Sequence, residues 1–121
     1  MKHSSLVAFL NGSLSPAEFA KEIVDEVTEC NKAFKAGKNG YILIEDGPLT
    51  VMTRAHAHRL LEAIADKALP FELANYAADC LIMSGDFEFD DELVKEAVRF
   101  VEDDSVAPTE NEIRALLSRL S

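Results

Sequence analysis

The residues best suited to hold a metal are His56 and His58, with Glu62 four positions beyond the second histidine. A His–Glu pair at that spacing can share one face of a helix, but His56 points about 200° away from His58 around the helix axis. Two ligands do not complete a site, so the expectation is a pair of solvated histidines and no metal. Asp86, Glu88 and Asp90 repeat the oxygen spacing at the start of a calcium loop. Such a loop then needs glycine at its sixth position and glutamate at its twelfth. Those positions hold Asp91 and Ala97, so the pattern fails.

Acid–base chemistry would need carboxylates brought together in a pocket. Asp66, Glu72 and Asp79 are the candidates, and Asp79 stands out because it lies in the most apolar helical segment. Its expected role is that of a satisfied acid, in the core or on that helix's wet stripe. A minor reading has His58, Glu62 and Asp79 serving a small metabolic enzyme. No nucleophile elbow, zinc-protease helix, phosphate loop or glycine-rich dinucleotide turn occurs. The chain therefore reads as a protein that is not an enzyme and needs no cofactor. Cys30 and Cys80 fall on apolar helical stripes, where thiols behave as small core hydrophobes, and nothing in their spacing asks for a disulfide.

These side chains must be positioned by helices. Ser4 or Ser5 is expected to cap a short first helix that Asn11-Gly12 ends. Ser15-Pro16-Ala17-Glu18 forms a capping box with proline at the first helical position. Phe19, Ile23, Val27, Cys30 and Phe34 then mark one helical face, ending near Gly37. Tyr41-Ile42-Leu43-Ile44, a turn at Asp46-Gly47-Pro48, and Leu49-Thr50-Val51-Met52 predict a β-hairpin over 41–52. Thr53 is expected to cap a third helix with Ala57, Leu60, Leu61, Ile64 and Ala68 inward. A fourth, over Phe71 to about Ser84, is apolar on nearly every side and belongs in the middle of the bundle. Asp90 is expected to cap a fifth, and Thr109-Glu110-Asn111-Glu112 opens a sixth with a second capping box. The expected architecture is mainly α, a single domain over 1–121 of five to six helices with one hairpin.

Charge is the feature most informative about partners. The chain carries 12 basic and 22 acidic residues in 121, so its net charge is 12 − 22 = −10. Residues 1–60 hold seven of each sign and are neutral. Residues 61–121 hold five basic and fifteen acidic residues, which accounts for all of the −10. Within Asp86–Asp104, nine acids face Lys95 and Arg99, a net of −7. Such a balance argues against binding nucleic acid directly or an anionic membrane. The apolar run Leu6–Leu10 is too short for a secretion signal and no segment reaches membrane-spanning length, so the expected compartment is the cytoplasm.

Phe87 and Phe89 alternate with Asp86, Glu88 and Asp90, so an extended segment would place rings on one side and acids on the other. Both rings can be core plugs beneath a solubilising rim. The sharper expectation is a binding face, with carboxylates steering a basic partner and an aromatic anchoring it. That face is assigned to Asp86, Phe87, Glu88, Phe89, Asp90, Asp91, Glu92 and Glu96, with Glu102, Asp103 and Asp104 as a second patch.

The stretch Phe9-Leu10-Asn11-Gly12-Ser13-Leu14-Ser15-Pro16-Ala17-Glu18-Phe19 resembles the opening of small bacterial toxin-immunity proteins, of the self-protective colicin-like or contact-dependent polymorphic-toxin kind. Those open with a short helix, Asn-Gly, and a Ser-capped second helix bearing Glu-Phe. The resemblance spans about residues 4–27, transfers no individual residue role, and is departed from by the expected hairpin. It implies a cytoplasmic inhibitor, monomer or weak homodimer, that binds a basic toxin domain, often a nuclease. The alternative is a phage- or plasmid-encoded acidic nucleic-acid mimic that blocks a DNA-binding or defence enzyme.

Overall fold

The computed structural model describes residues 1–35 (the side chains of 34 and 35 aside), 37, 44–103 and 108–121. In chain order the elements are α1 (His3–Asn11), α2 (Pro16–Lys35), β1 (Thr50–Met52), α3 (Arg54–Ala65), α4 (Phe71–Met83), β2 (Phe87–Phe89), α5 (Glu92–Glu102) and α6 (Glu110–Leu120). The protein is mainly helical, with one small two-stranded sheet among the described residues.

The helix ends follow local hydrogen-bond chemistry. At α2, Glu18 N–H donates to Ser15 Oγ (3.1 Å) and Ser15 N–H to Glu18 Oε1 (3.3 Å). Thr109 and Glu112 do the same for α6, at 3.2 and 3.0 Å. These reciprocal pairs satisfy amides that have no partner within the helix. The start of α1 differs from expectation. Neither Ser4 nor Ser5 caps it; the helix begins after Lys2, whose carbonyl accepts from Leu6 N–H, while Ser5 Oγ bonds the Glu22 carboxylate of α2. The cap of α5 falls one residue later than expected, at Asp91. α3 stops at Ala65, so Ala68 is exposed and Leu69 takes the buried position.

α4 packs against α2, α3 and α5, and it is the central helix. Its small residues Ala74, Ala77 and Ala78 are buried beside Leu73, Tyr76, Cys80 and Leu81, which lets the neighbouring backbones approach closely. α2 buries Phe19, Ile23, Val27 and Cys30, and Phe19 stacks on Phe9 of α1 with centroids 4.5 Å apart. α5 turns Val94, Ala97, Val98 and Val101 inward.

The sheet adds a pairing that the sequence did not announce. Among the described residues β1 pairs with β2, and the pairing is parallel: Thr50 opposite Phe87, Val51 opposite Glu88, Met52 opposite Phe89. Positions 41–43, the first arm of the expected hairpin, lie outside the described residues, and 44–49 form no strand. A parallel pair needs a long crossover between its strands. Here α3 and α4 supply it. Met52 and Phe87 are buried on the inner face of the sheet.

Candidate protein-binding face

β2 and the start of α5 hold most of the assigned residues. After α4, Asp86 N–H donates to Ser84 Oγ (3.1 Å) and the chain straightens into β2. The alternation expected of an extended segment is present, with Phe87 inward and Glu88 exposed. Phe89 is half-buried and Asp90 exposed.

Phe87 is a core residue and is withdrawn from the face. Its ring stacks on His3 with centroids 4.7 Å apart, and it is only 6% exposed. His3 is itself buried, and among the described residues its Nε2 has no hydrogen-bond partner. The ring is held by close packing: a Cβ built on Gly47 would lie 2.3 Å from His3 Cγ. Glycine is required there by space. Gly47 N–H donates to Asp86 Oδ2 (3.1 Å), and Glu45 N–H to the Met1 carbonyl (2.9 Å). The segment ahead of β1 is thereby tied to β2 and to the start of α1.

Three assigned acids are occupied within the fold. Asp86 holds Gly47. Asp91 caps α5 by accepting from Val94 N–H (3.0 Å), and its other oxygen accepts from Arg54 Nε (2.8 Å). The Val94 amide first, and the Arg54 guanidinium second, hold this carboxyl below its usual range. Glu96 receives both Arg119 nitrogens, at 3.0 and 3.2 Å, joining α5 to α6. This exposed bidentate pair fixes geometry more than it stabilises.

Glu88, Asp90 and Glu92 are different. Among the described residues no cation or donor engages their carboxylates. With Phe89, Asp91 and Lys95 they line an open cleft of about 590 Å³ between β2 and the first turn of α5. The lining thus includes four acidic residues, one lysine and a half-buried phenylalanine.

The second patch is separate. Glu102 ends α5, ten residues from Glu92, so it sits about 15 Å along the helix. Asp103 is the C-cap, and Asp104 lies outside the described residues. Acids at a helix C-terminus oppose the macrodipole. The Asn75 amide offsets this by donating to the Val101 and Glu102 carbonyls at 2.9 and 2.8 Å.

The histidines diverge as the helical geometry requires. His56 completes the cap of α3: Thr53 N–H donates to His56 Nδ1 (3.1 Å), and Thr53 Oγ1 accepts from His56 N–H (3.4 Å). The other ring nitrogen, Nε2, lies 2.8 Å from Asn11 Oδ1 at the end of α1. Since Nδ1 accepts, Nε2 carries the proton and the ring is neutral. Burial, and then the charge of Arg59, lower its pKa. His58 instead faces Glu62 at 3.6 Å. Both line a shallow pocket with Ala55, Arg59 and Leu120, which Asp79 does not reach. No group of three potential metal ligands occurs among the described residues.

Cys30 and Cys80 are buried thiols on α2 and α4. Burial pushes Cys80 up to about 12, and burial followed by Asp79 and Glu26 raises Cys30. Tyr76 Oη donates to Glu26 (2.9 Å), whose carboxylate also receives the Met1 ammonium at 2.8 Å.

Several residues of consequence were not assigned from the sequence. Gly47 and His3 position β2, and His56 links two helices. Leu49 and Val51 are 62% and 46% exposed. The Thr-x-x-His spacing before an apolar run was the available signal for His56. No protein family, curated protein or solved structure matches the chain. No helix among the described residues is long and apolar enough to cross a membrane.

Proposed function

We propose that this protein is an immunity protein that acts in the cytoplasm by binding a basic bacterial toxin domain, with a nuclease the best-suited class. The observation that carries the reading is the cleft beside β2, which Glu88, Asp90 and Glu92 line together with Phe89 and where, among the described residues, none of the three carboxylates has a partner. Carboxylates in such a position lose nothing within the fold when a cation meets them. A nuclease must be cationic to hold phosphates, so it offers the complementary field. The resemblance of Phe9–Phe19 to the opening of colicin-type immunity proteins points the same way.

The test is stopped-flow association with the C-terminal domain of a toxin encoded directly upstream, over a series of salt concentrations. Wild type is expected to associate faster at low salt. Glu88→Lys with Asp90→Lys is expected to slow association by at least about tenfold there, and far less at high salt. Asp91 is left intact because it caps α5. An unchanged low-salt rate in the double variant refutes the assignment of this face. Equal inhibition of unrelated DNA-binding proteins favours the nucleic-acid mimic.

A further inference from the structure

The register of the sheet fixes where the backbone of β1 points. Thr50 N–H donates to the Asp86 carbonyl (2.8 Å), and the Met52 carbonyl accepts from Asp90 N–H (3.0 Å). In a parallel pair, alternate residues of one strand carry the bonds to the other. Thr50 and Met52 therefore face β2, and the N–H and C=O of Val51 face away from it. Among the described residues nothing takes either group.

The side chains alternate across the same strands. Val51 and Glu88, directly opposite each other, share the outer face, and Leu49 and Asp90 at the strand ends are exposed. Exposed aliphatic side chains thus lie on β1 and its approach, and exposed carboxylates on β2 and its exit. Open, apolar edge strands are usually blunted with lysine or a bulge. Here Pro48 bounds the edge on one side and the cap of α3 bounds it on the other, and Leu49–Met52 between them carries no charge.

We infer that β1 is the docking edge, and that a strand of a basic partner adds to it through the Val51 amide and carbonyl. Main-chain bonds give such a strand its hold, and alternate side chains give it its selectivity. A lysine or arginine on the added strand lays its stem over Val51 and brings its charge to Glu88. The occupant is an extended cationic segment with aliphatic or aromatic residues. This inference rests on the protein being a binder of a basic domain, and it adds the mode of attachment.

The probe is a short capped peptide alternating lysine with valine, followed by fluorescence anisotropy, beside the same peptide N-methylated at alternate residues. Val51→Pro removes the outward N–H, breaks no bond within the fold, and suits an edge strand; circular dichroism checks that it folds. Val51→Thr keeps the N–H. Wild type and Val51→Thr are expected to bind equally, with Val51→Pro or N-methylation weakening binding about tenfold. Binding that is insensitive to Val51→Pro but lost in Glu88→Lys with Asp90→Lys overturns strand addition and leaves the acidic face standing. Binding lost with Val51→Pro yet indifferent to the charge reversal supports strand addition and removes the acidic face. Absence of binding by the peptide overturns strand addition.

Discussion

Replacing His56 by glutamine separates two things that the imidazole does at once. The ring accepts the Thr53 amide and donates to Asn11, so it both caps α3 and fastens it to the end of α1. Two such bonds contribute about 1–3 kcal/mol together, and His56→Ala is expected to lose that amount. Glutamine at this position is a normal capping-box partner, so His56→Gln is expected to keep the cap and lose only the bridge, about 1 kcal/mol. The two variants also differ from wild type in their response to acid. The native pKa of His56 lies below its ordinary value of 6.5 because of burial and Arg59. Above that value the ring is neutral in both states and pH has no effect. As pH falls through 6.5 the unfolded chain takes up the proton first, so the fold loses stability until the native pKa is passed. The slope from this one ring is at most about 1.4 kcal/mol per pH unit. Partial exposure of the ring to water makes it smaller. Protonation also puts a hydrogen on Nδ1, where the Thr53 amide needs an acceptor. Urea unfolding from pH 7.5 to 5.5 measures both effects, with His3 and His58 common to wild type and variant. His56→Gln is expected to show the shallower decline. Parallel curves for wild type and His56→Gln refute the neutral capping role.

Gly47→Ala is expected to lower stability by about 1–3 kcal/mol in urea unfolding, because its methyl group displaces the His3 ring from Phe87. A Gly47→Ala, His3→Ala double variant recovers part of that loss, which a double-mutant cycle reads as coupling. Both cysteines are expected to resist iodoacetamide at neutral pH in the native protein and to react readily in denaturant, as followed by mass spectrometry. A pKa of about 12 leaves Cys80 roughly one part in 10⁵ thiolate at pH 7.

The helices were legible because their signals are local. Ser15–Glu18 and Thr109–Glu112 announce their caps within four residues, and the apolar spacing of Phe19, Ile23, Val27 and Cys30 marks the buried face of α2. The partner of β1 was not legible. Alternation identifies a strand but says nothing of its mate, and the mate lies 37 positions away at Phe87. The acidic stretch was legible only as a sum. Asp91 and Glu92 look alike in composition, yet one holds an amide and a guanidinium while the other faces solvent. Which acid is spent inside the fold depends on where a helix begins and on Arg54, a residue far off in the chain. Phe87 and Phe89 likewise differ through His3, whose place beneath β2 has no signature in sequence.

The parallel pairing also governs the order in which the molecule can assemble. α3 and α4 can each gain most of their hydrogen bonds from residues a few positions away, whereas the β1–β2 contact closes a loop that contains both helices. Closing that loop costs entropy before it returns any bond, and three paired residues return little, so the contact is expected to form late, after α3 and α4 have packed. On that expectation the β1 edge and the cleft lined by β2 and the start of α5 are completed together, late in folding. A nascent chain that has emerged only as far as α4 displays no complete edge and no cleft. If the cleft and edge are the docking surface proposed above, competence to bind is tied to completion of the fold.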